Sequence, residues 1–554
     1  MLLSAMTAYA ASDVTFVEPA DPNPGNQTAW TSLAKPCVGW GSIDVRYSRS
    51  QVAAMEKKVS LTGWKGERVS AQAVVSTPVD LSSVKVTASD LKNGKSVIPS
   101  ANVSTWFVRY TLAGQPDGSE AILSPDGLDS APEMEVSANT TRPVWVEVKV
   151  PSDVKAGVYK GSIFVNCDGA VTVLPYQIKV SDHVLPEPSR WTFHLDLWQN
   201  PYAVARYFGV KLWSKEHFDR MRPIMKMYAD AGAKVITASI IQHPWNCQTF
   251  DPFESMIAKM KRIDGSWSYD YTVFDKWVEF MMECGIKEQI DCYTLVPWQY
   301  KFDYYDCATN SVKLIDCKPQ EQSYRDLILP FLKDFASHLK AKGWFDIACI
   351  AMDERPMDQM NAAYAVVKEA DRDYRIAGAA NYNPDSDGAD KIYDMSVVYH
   401  FDLLSPEAIA KRKSKGQVLT FYTCCSPLHP NTFTISDYAE SAFIGWHAAA
   451  VGYDGYLRWA LNSWPENPYV DSRFGNWLSG DTYLLYPEGP SVRFLRLVEG
   501  IQDYEKIRII RETASDSLKV ELDNVLLKFA PAVYDESQKA ADILAEGKKI
   551  LNRF

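Results

Sequence analysis

The chain has 554 residues, of which 46% are hydrophobic and 23% charged, a composition that excludes a mainly disordered or collagen-like protein. Its net charge of −11 leaves no basic surface for phosphate backbones, so we expect no nucleic-acid partner. No apolar run approaches the roughly 20 residues that span a bilayer, so we expect no membrane span.

The chain begins with the apolar segment MLLSAMTAYAA, which ends in the small-x-small pattern Ala8-Tyr9-Ala10. A signal-peptidase site has this pattern, although a basic n-region is absent and the apolar stretch is short. We interpret residues 1–13 as the remnant of an export signal, which predicts a periplasmic or cell-surface location in a bacterium. The alternative is a disordered terminus.

Residues 14–185 are predicted to form an antiparallel β-sandwich. Short segments in which apolar and polar residues alternate, separated by turn residues, are typical of antiparallel strands. No long helical pattern interrupts them, and seven such strands suggest a sandwich. The predicted strands are 38–47, 69–75, 84–88, 103–110, 143–150, 161–165 and 171–180.

A domain boundary is predicted at residues 183–190, where the sequence HVLPEPSR has two prolines and no periodicity. Beyond it, strand-like runs alternate with helical segments, which predicts a (β/α)8 TIM barrel over residues 186–510. A doubly wound open sheet is the competing topology, because periodicity does not separate the two. Residues 511–554 are predicted to be helices packed on the barrel. The eight predicted strands are 191–198, 234–241, 290–296, 345–352, 375–382, 395–401, 418–424 and 455–461.

Ten cysteines are spread along the chain without a C-x-x-C motif or a histidine tract. The sequence therefore predicts neither a zinc site nor a dense disulfide framework, and we expect most of the cysteines to be buried thiols. Cys307 and Cys317 flank a polar loop, and a disulfide between them is an alternative in an oxidising compartment.

The strongest local signal for chemistry is IAMDERP at residues 350–356, in which a hydrophobic strand runs directly into Asp353 and Glu354. Active sites of TIM barrels lie at the carboxyl ends of the strands, and repulsion between neighbouring acids raises the pKa of one of them, which suits acid catalysis. The alternative is a helix N-terminus at which both acids serve as caps. The other polar and aromatic residues predicted at strand ends are Asp196, Trp198, His243, Trp245, Tyr293, Trp298, Asn381, Tyr382, His400, Asp402, Tyr422, Trp459, Asn462 and Trp464.

Adjacent residues on one strand point to opposite faces, so this pair is poorly placed to flank a scissile bond as two carboxylates of an ordinary glycosidase do. A consistent division of work has Glu354 protonate the leaving oxygen while Asp353 orients a nucleophile that belongs to the substrate. A 2-acetamido sugar supplies that nucleophile, because its carbonyl oxygen can attack C1 and form an oxazolinium intermediate.

The segments MDERP (352–356), GYLRWALNSW (455–464), SVRFLR (491–496) and EGIQDY (499–504) together resemble glycoside hydrolase family 123. The resemblance covers nearly the whole chain and implies an exo-acting, retaining β-N-acetylgalactosaminidase that uses substrate-assisted catalysis. It implies that Asp353 orients the 2-acetamido group and that Glu354 is the general acid and then the base. Specificity for the galacto epimer rests on the resemblance alone.

Further residues are predicted to contact the sugar. Tyr422 is predicted to hold the acetamido carbonyl oxygen, and the alternative is that it only packs beneath the site. Trp459 is predicted to form the floor of the pocket, with Trp298 and Trp464 as walls, because tryptophan faces stack on sugar rings. His243 is predicted to bond a sugar hydroxyl, and a structural role is its alternative. The predicted substrate-binding set is His243, Tyr293, Trp298, Asn381, Trp459 and Trp464.

Two other functions stay open. One is a two-carboxylate retaining glycosidase for sugars without an acetamido group, with Glu354 as acid and Asp402 or Asp196 as nucleophile. The other is a non-catalytic glycan-binding protein. The sequence has no G-x-S-x-G elbow, no P-loop and no H-E-x-x-H helix. The expected partner is a glycan with terminal β-linked N-acetylgalactosamine, on a glycolipid or an oligosaccharide, and no metal or organic cofactor is expected.

Overall fold

The computed structural model describes residues 17–25, 27–246, 248–379, 388–399, 405–531 and 534–554. Up to residue 185 the regular elements of the described chain are strands, apart from the short 3-10 turns Gln27–Ser32 and Ser100–Asn102, which confirms the predicted all-β character of this region. The strands are β1 (Cys37–Gly41), β2 (Val59–Lys65), β3 (Arg68–Thr77), β4 (Leu81–Ala88), β5 (Leu91–Asn93), β6 (Ser96–Ile98), β7 (Val103–Ala113), β8 (Ile122–Asp129), β9 (Glu133–Val136), β10 (Thr140–Lys149), β11 (Gly157–Cys167) and β12 (Ala170–Val184).

These strands form two sheets that share one apolar core. Their orders are β1-β3-β10-β7-β8 and β2-β12-β11-β4-β9, and β5 and β6 extend the second sheet. Because side chains alternate between the two faces of a strand, each sheet directs one row of apolar residues into the core. The core includes Val75 and Val146 from the first sheet and Ile163 and Ile178 from the second.

The rest of the described chain alternates between strands and helices. Its elements are β13 (His194–Leu197), α1 (Pro201–Phe208), α2 (Lys215–Ala229), β14 (Val235–Ser239), β15 (Ala258–Lys261), β16 (Trp267–Asp270), α3 (Thr272–Cys284), β17 (Gln289–Tyr293), β18 (Lys301–Asp306), β19 (Ser311–Asp316), α4 (Gln322–Lys342), β20 (Ala348–Met352), α5 (Met357–Ala370), β21 (Arg375–Ala379), β22 (Asp394–Val398), α6 (Pro406–Ser414), β23 (Val418–Tyr422), α7 (Tyr438–Val451), β24 (Gly455–Arg458), β25 (Leu485–Tyr486), β26 (Gly489–Pro490), α8 (Val492–Thr513), α9 (Asp516–Leu526) and α10 (Ala540–Leu551).

Eight of these strands form a parallel, nearly closed barrel in the order β13-β24-β23-β22-β21-β20-β17-β14. A bridge between Leu195 and Ala233 brings the two end strands together. The order follows the chain without a reversal, which is the topology of a barrel and not of a doubly wound sheet. Each of the eight predicted strands overlaps one of these strands, so the prediction of an eight-stranded α/β barrel is confirmed.

Two hairpins extend the carboxyl end of the barrel. They follow β14 and β17 and combine into a four-stranded sheet in the order β16-β15-β18-β19. Cys307 directly follows β18 and Cys317 directly follows β19, and both are free thiols. The alternative of a disulfide between them is therefore wrong for this structure.

Buried ion pairs join the all-β region to the barrel. The Arg493 guanidinium, on α8, donates to both carboxylate oxygens of Asp126, on β8, at distances of 2.9 to 3.1 Å. Both side chains are fully buried. Lys506, also on α8, pairs with Glu67 in the turn between β2 and β3. Within the described residues, no helix is long and apolar enough to cross a membrane.

Candidate active site

A cluster of large side chains closes the carboxyl end of the barrel. Trp198, Trp245 and Tyr293 are buried, and their ring centroids lie 4.5 to 5.3 Å apart. Tyr422 is buried in the same cluster, and Trp298 packs against it. These residues come from the ends of different strands, so the parallel barrel gathers at one place side chains that are far apart in the sequence.

Asp353 is the first residue after β20, and both of its carboxylate oxygens accept hydrogen bonds. The Trp298 indole N–H donates to Oδ2 at 2.9 Å, and the backbone N–H of Glu354 donates to Oδ1 at 2.8 Å. Asp353 therefore has a fixed orientation. α5 begins only at Met357, so the two acids lie before the helix and do not form its first turn.

Burial raises the pKa of Asp353 to about 6, and the neighbouring Glu354 carboxylate adds to the rise. The N–H donors of Trp298 and Glu354, and the Arg355 guanidinium, oppose it. Arg355 itself turns onto aromatic faces, with its guanidinium carbon 4.9 Å from the Trp298 ring centroid and 4.7 Å from that of Tyr300.

Glu354 is partly buried and accepts a hydrogen bond from the Tyr422 hydroxyl. Tyr422 is the last residue of β23, and its side chain points into the end of the barrel. Burial, followed by the Glu354 charge, raises the pKa of Tyr422 far above its ordinary value, so the hydroxyl keeps its proton. Asp353, Glu354 and Tyr422 thus form one hydrogen-bonded group.

Trp459 follows β24 and is partly buried against the same cluster. Its indole N–H donates to Asp481 Oδ1 at 3.0 Å, and the Trp477 ring contacts it edge to face at 5.5 Å. Asp481 is fully buried and also accepts from Arg458 at 2.8 Å. Sequence reasoning missed Asp481, because it lies in a long irregular segment with no periodic pattern.

The other predicted substrate-binding residues differ in position. His243 is partly buried in a turn and has a left-handed φ of 48°. The backbone N–H of Trp298 donates a hydrogen bond to Pro244 O in the same turn. Tyr293 is buried beneath the rim. Trp464 is fully buried and donates to Leu485 O at 2.6 Å, so the prediction that it forms a wall of the pocket is wrong. Asn381 lies outside the described residues.

A polar layer lies deeper in the barrel. Asp394 Oδ2 is 2.9 Å from His194 Nε2 and accepts from Gln289 at 2.7 Å, and Gln289 also donates to Asp291. Asp196 is buried in this layer, where burial and the Asp394 charge raise its pKa to about 7. Its place inside the barrel does not support a nucleophilic role at the rim. Asp402, the other carboxylate considered for that role, lies outside the described residues.

Two family models match this chain, one over the barrel and one over the all-β region. A model of the glycoside hydrolase 123 catalytic domain matches residues 198–510, and a model of the glycoside hydrolase 123 N-terminal domain matches residues 40–167. No match was found among curated proteins.

Among solved structures, the chain is similar to a family 123 glycoside hydrolase from Clostridium perfringens that was studied for glycolipid glycan hydrolysis. The TM-score is 0.86 and the identity 27%, over 94% of this chain and 97% of that chain. A xylanase from termite gut (TM-score 0.34, 10% identity, 81% and 100% coverage) and an exo β-N-acetylglucosaminidase from Vibrio harveyi (TM-score 0.21, 10% identity, 71% and 82% coverage) are too distant to carry an argument.

The catalytic-domain model covers more than half of the chain and contains Asp353, Glu354, Tyr422 and Trp459. The eight-stranded barrel and the all-β region that precedes it are common to this chain and the Clostridium enzyme over almost their full lengths. With the hydrogen-bonded carboxylates at the end of that barrel, these matches show that the chain belongs to glycoside hydrolase family 123, the family of β-N-acetylgalactosaminidases.

Proposed function

We propose that the protein is an exo-acting, retaining β-N-acetylgalactosaminidase that works by substrate-assisted catalysis through an oxazolinium intermediate. The observation that carries this proposal is the hydrogen-bonded group of Asp353, Glu354 and Tyr422. The reaction needs an acceptor for the acetamido N–H, an acid for the leaving oxygen and a donor for the acetamido carbonyl oxygen. This group contains one residue for each task.

Asp353 is the acceptor for the acetamido N–H. Each carboxylate oxygen has two lone pairs, so a carboxylate already held by Trp298 and by the Glu354 backbone can accept a third donor. That bond directs the acetamido carbonyl oxygen at C1 of the sugar. Intramolecular attack in such a geometry corresponds to effective molarities of about 10⁵ to 10⁸ M.

Glu354 is the general acid and then the general base. In the first step it gives a proton to the glycosidic oxygen while the acetamido oxygen attacks C1, and the aglycone leaves. In the second step it takes a proton from the water that opens the oxazolinium ring. The Tyr422 hydroxyl, which contacts Glu354 in the free protein, turns to the acetamido oxygen when the sugar is bound and stabilises the charge that develops there.

The sugar ring is placed between Trp459 and the Trp298 edge of the cluster. Both indoles are partly buried, and the N–H of each is bound to a carboxylate, which fixes the ring faces. The Clostridium relative was studied for glycolipid glycan hydrolysis, and this supports a terminal β-linked N-acetylgalactosamine on a glycolipid or an oligosaccharide as the substrate.

The first test measures release of nitrophenol from aryl β-N-acetylgalactosaminide, the gluco epimer and the plain β-galactoside. We expect turnover of the acetamido galactoside alone, and tight inhibition by the matching thiazoline, which imitates the oxazolinium. Turnover of the plain galactoside would show that the protein supplies the nucleophile and would overturn the mechanism. No turnover of any aryl glycoside or of a natural glycan would favour a binding function.

Carboxylate-to-amide variants separate the two acids. Asp353→Asn should lose activity severely while its melting temperature stays close to that of the parent protein. Glu354→Gln should retain activity on aryl glycosides with good leaving groups, because these need little protonation, and lose it on poor ones. Asp373→Asn, which makes the same change at an exposed position, is the matched control.

A further inference from the structure

Two adjacent cysteines follow β23 at the carboxyl end of the barrel. The Cys424 Sγ lies 3.8 Å from the Cys425 Sγ, and Cys425 is exposed while Cys424 is partly buried. We propose that Cys424 and Cys425 form a dithiol modification site at the rim of the active site, and that this site reacts with low-molecular-weight disulfides. We expected most of the cysteines to be buried thiols, and Cys425 is an exception because it is exposed.

The dithiol is coupled to the catalytic group through the backbone of one short segment. Cys424 is two residues beyond Tyr422 and packs against the cluster that contains Tyr422 and Trp459. The Cys424 backbone N–H donates to Ser426 O at 3.1 Å, which folds the segment into a turn. A change in the side chain of Cys424 therefore acts on the position of the Tyr422 hydroxyl.

Cys425 is the thiol that reacts first, because it is exposed and its thiolate is stabilised. A hydrogen bond from Cys424 lowers the pKa of Cys425, against the opposing effects of burial and of the Asp481 and Glu354 carboxylates. The thiolate is the nucleophile in thiol–disulfide exchange, so this bond favours attack by Cys425.

The reaction has two steps. The Cys425 thiolate attacks one sulfur of the small disulfide and forms a mixed disulfide, and the other half leaves as a thiolate that takes up a proton. The Cys424 thiol then loses its proton and attacks the Cys425 sulfur, which releases the second half as a thiol. The two cysteines are oxidised to one disulfide, and the small disulfide is reduced to two thiols. Adjacent Cα atoms are about 3.8 Å apart, less than the roughly 4.4 to 6.8 Å usual for a disulfide. Closing the gap between the two Sγ atoms from 3.8 Å to a bond of about 2.05 Å therefore needs a backbone adjustment as well as a change in side-chain rotamer.

The chemical test uses the folded, full-length protein and oxidised glutathione. In the parent protein, peptide mapping by mass spectrometry should find the peptide that contains both cysteines lighter by two hydrogen atoms, as a disulfide requires. In Cys424→Ser, the same peptide should carry one glutathione on Cys425. Phenylarsine oxide, which bridges paired thiols, should block the same segment in the parent protein and not in Cys425→Ser. Unmodified Cys424 and Cys425, with glutathione on other cysteines only, would overturn the proposal.

The functional test rests on the proposed function, whereas the chemical test does not. Oxidation should lower turnover by about 10²-fold, the loss that a displacement of about 1 Å in an active site produces, and dithiothreitol should restore it. Cys425→Ser should have normal turnover and resist the oxidant, and Cys307→Ser should behave like the parent protein. Equal inactivation of Cys425→Ser would contradict a site at this dithiol. A parent protein with no turnover but a mapped disulfide would reject the proposed function and not the modification site.

Discussion

The bond from Trp298 to Asp353 gives the sharpest prediction for the candidate active site. Trp298→Phe keeps an aromatic ring and removes the indole N–H that donates to Asp353 Oδ2 at 2.9 Å. Hydrogen bonds to charged groups contribute about 1.5 to 3 kcal/mol, which corresponds to about one to two pH units. The pKa of Asp353, about 6 in the parent protein, should therefore rise by about one unit or more.

The sign of the effect follows from the proposed reaction. Asp353 accepts the acetamido N–H as a carboxylate, so activity is present above its pKa and is lost as the pH falls through it. The acid limb of kcat/KM should lie near pH 6 in the parent protein and move to higher pH in Trp298→Phe, with a loss of about tenfold at pH 6. The loss should fall to about twofold or less at pH 8, where Asp353 is ionised in the parent protein and at least half ionised in Trp298→Phe.

The assay is the pH profile of kcat/KM for aryl β-N-acetylgalactosaminide. Trp191→Phe is the matched control. It also removes an indole N–H that donates a hydrogen bond, in this case to the backbone oxygen of Pro186 at 2.7 Å. Its acid limb should coincide with that of the parent protein. An unchanged acid limb in folded Trp298→Phe would refute the assignment of this limb to Asp353.

Three further substitutions test other parts of the structure. Tyr422→Phe should lower kcat by about 10²- to 10³-fold, as removal of an oxyanion donor does, with normal folding by circular dichroism. Asp481→Asn should raise KM about tenfold with little change in kcat, because a neutral amide oxygen holds the N–H of Trp459, the proposed sugar platform, more weakly than a carboxylate does. It should also lower the free energy of unfolding, because the buried Arg458 loses its counter-ion. Arg493→Met should lower the free energy of unfolding by about 3 to 5 kcal/mol in urea titrations, because Asp126 is left buried without its cation.

Each of these expectations has an outcome that contradicts it. Parent-like kcat in Tyr422→Phe would limit that tyrosine to packing beneath the site. A fall in kcat at constant KM in Asp481→Asn would place Asp481 in the reaction itself and not behind Trp459. An unchanged urea midpoint and slope for Arg493→Met would show that the pair with Asp126 does not hold the two regions together.

The barrel could be predicted from the sequence because the patterns that indicate its strands and helices are local. Each strand is a short apolar run, and each helix carries apolar residues at intervals of three and four, so alternation of the two patterns predicts the topology. β8 was missed for the opposite reason. Its sequence ILSPDGLD contains Pro, Asp and Gly, which are typical of turns, yet six of its eight residues are buried. The barrel covers this strand, and Asp126 within it binds Arg493, so its partners lie far away in the sequence.

The candidate site was predictable only where a strand end carried the chemistry. Asp353 and Glu354 follow an unbroken apolar run, and Tyr422 ends another, so their positions followed from the barrel topology. Trp464 lies only five residues beyond Trp459, and nothing in the local sequence shows that it turns into the core. Asp481 accepts a hydrogen bond from the indole N–H of Trp459, which lies in a different segment of the chain. No sequence pattern predicts a contact of this kind.

The all-β region contributes to the site through backbone contacts with the irregular segment between β24 and α8. The Leu112 backbone, in β7, accepts from Ser472 at 2.9 Å and donates to Val470 at 3.0 Å. Ser472 O in turn accepts from the N–H of Gly480 at 2.9 Å, next to the Asp481 that holds Trp459. An irregular segment without these bonds would have many conformations, and fixing one backbone residue costs about 1 to 2 kcal/mol. The all-β region therefore supplies part of the order of the segment that holds Trp459, the proposed floor of the sugar pocket.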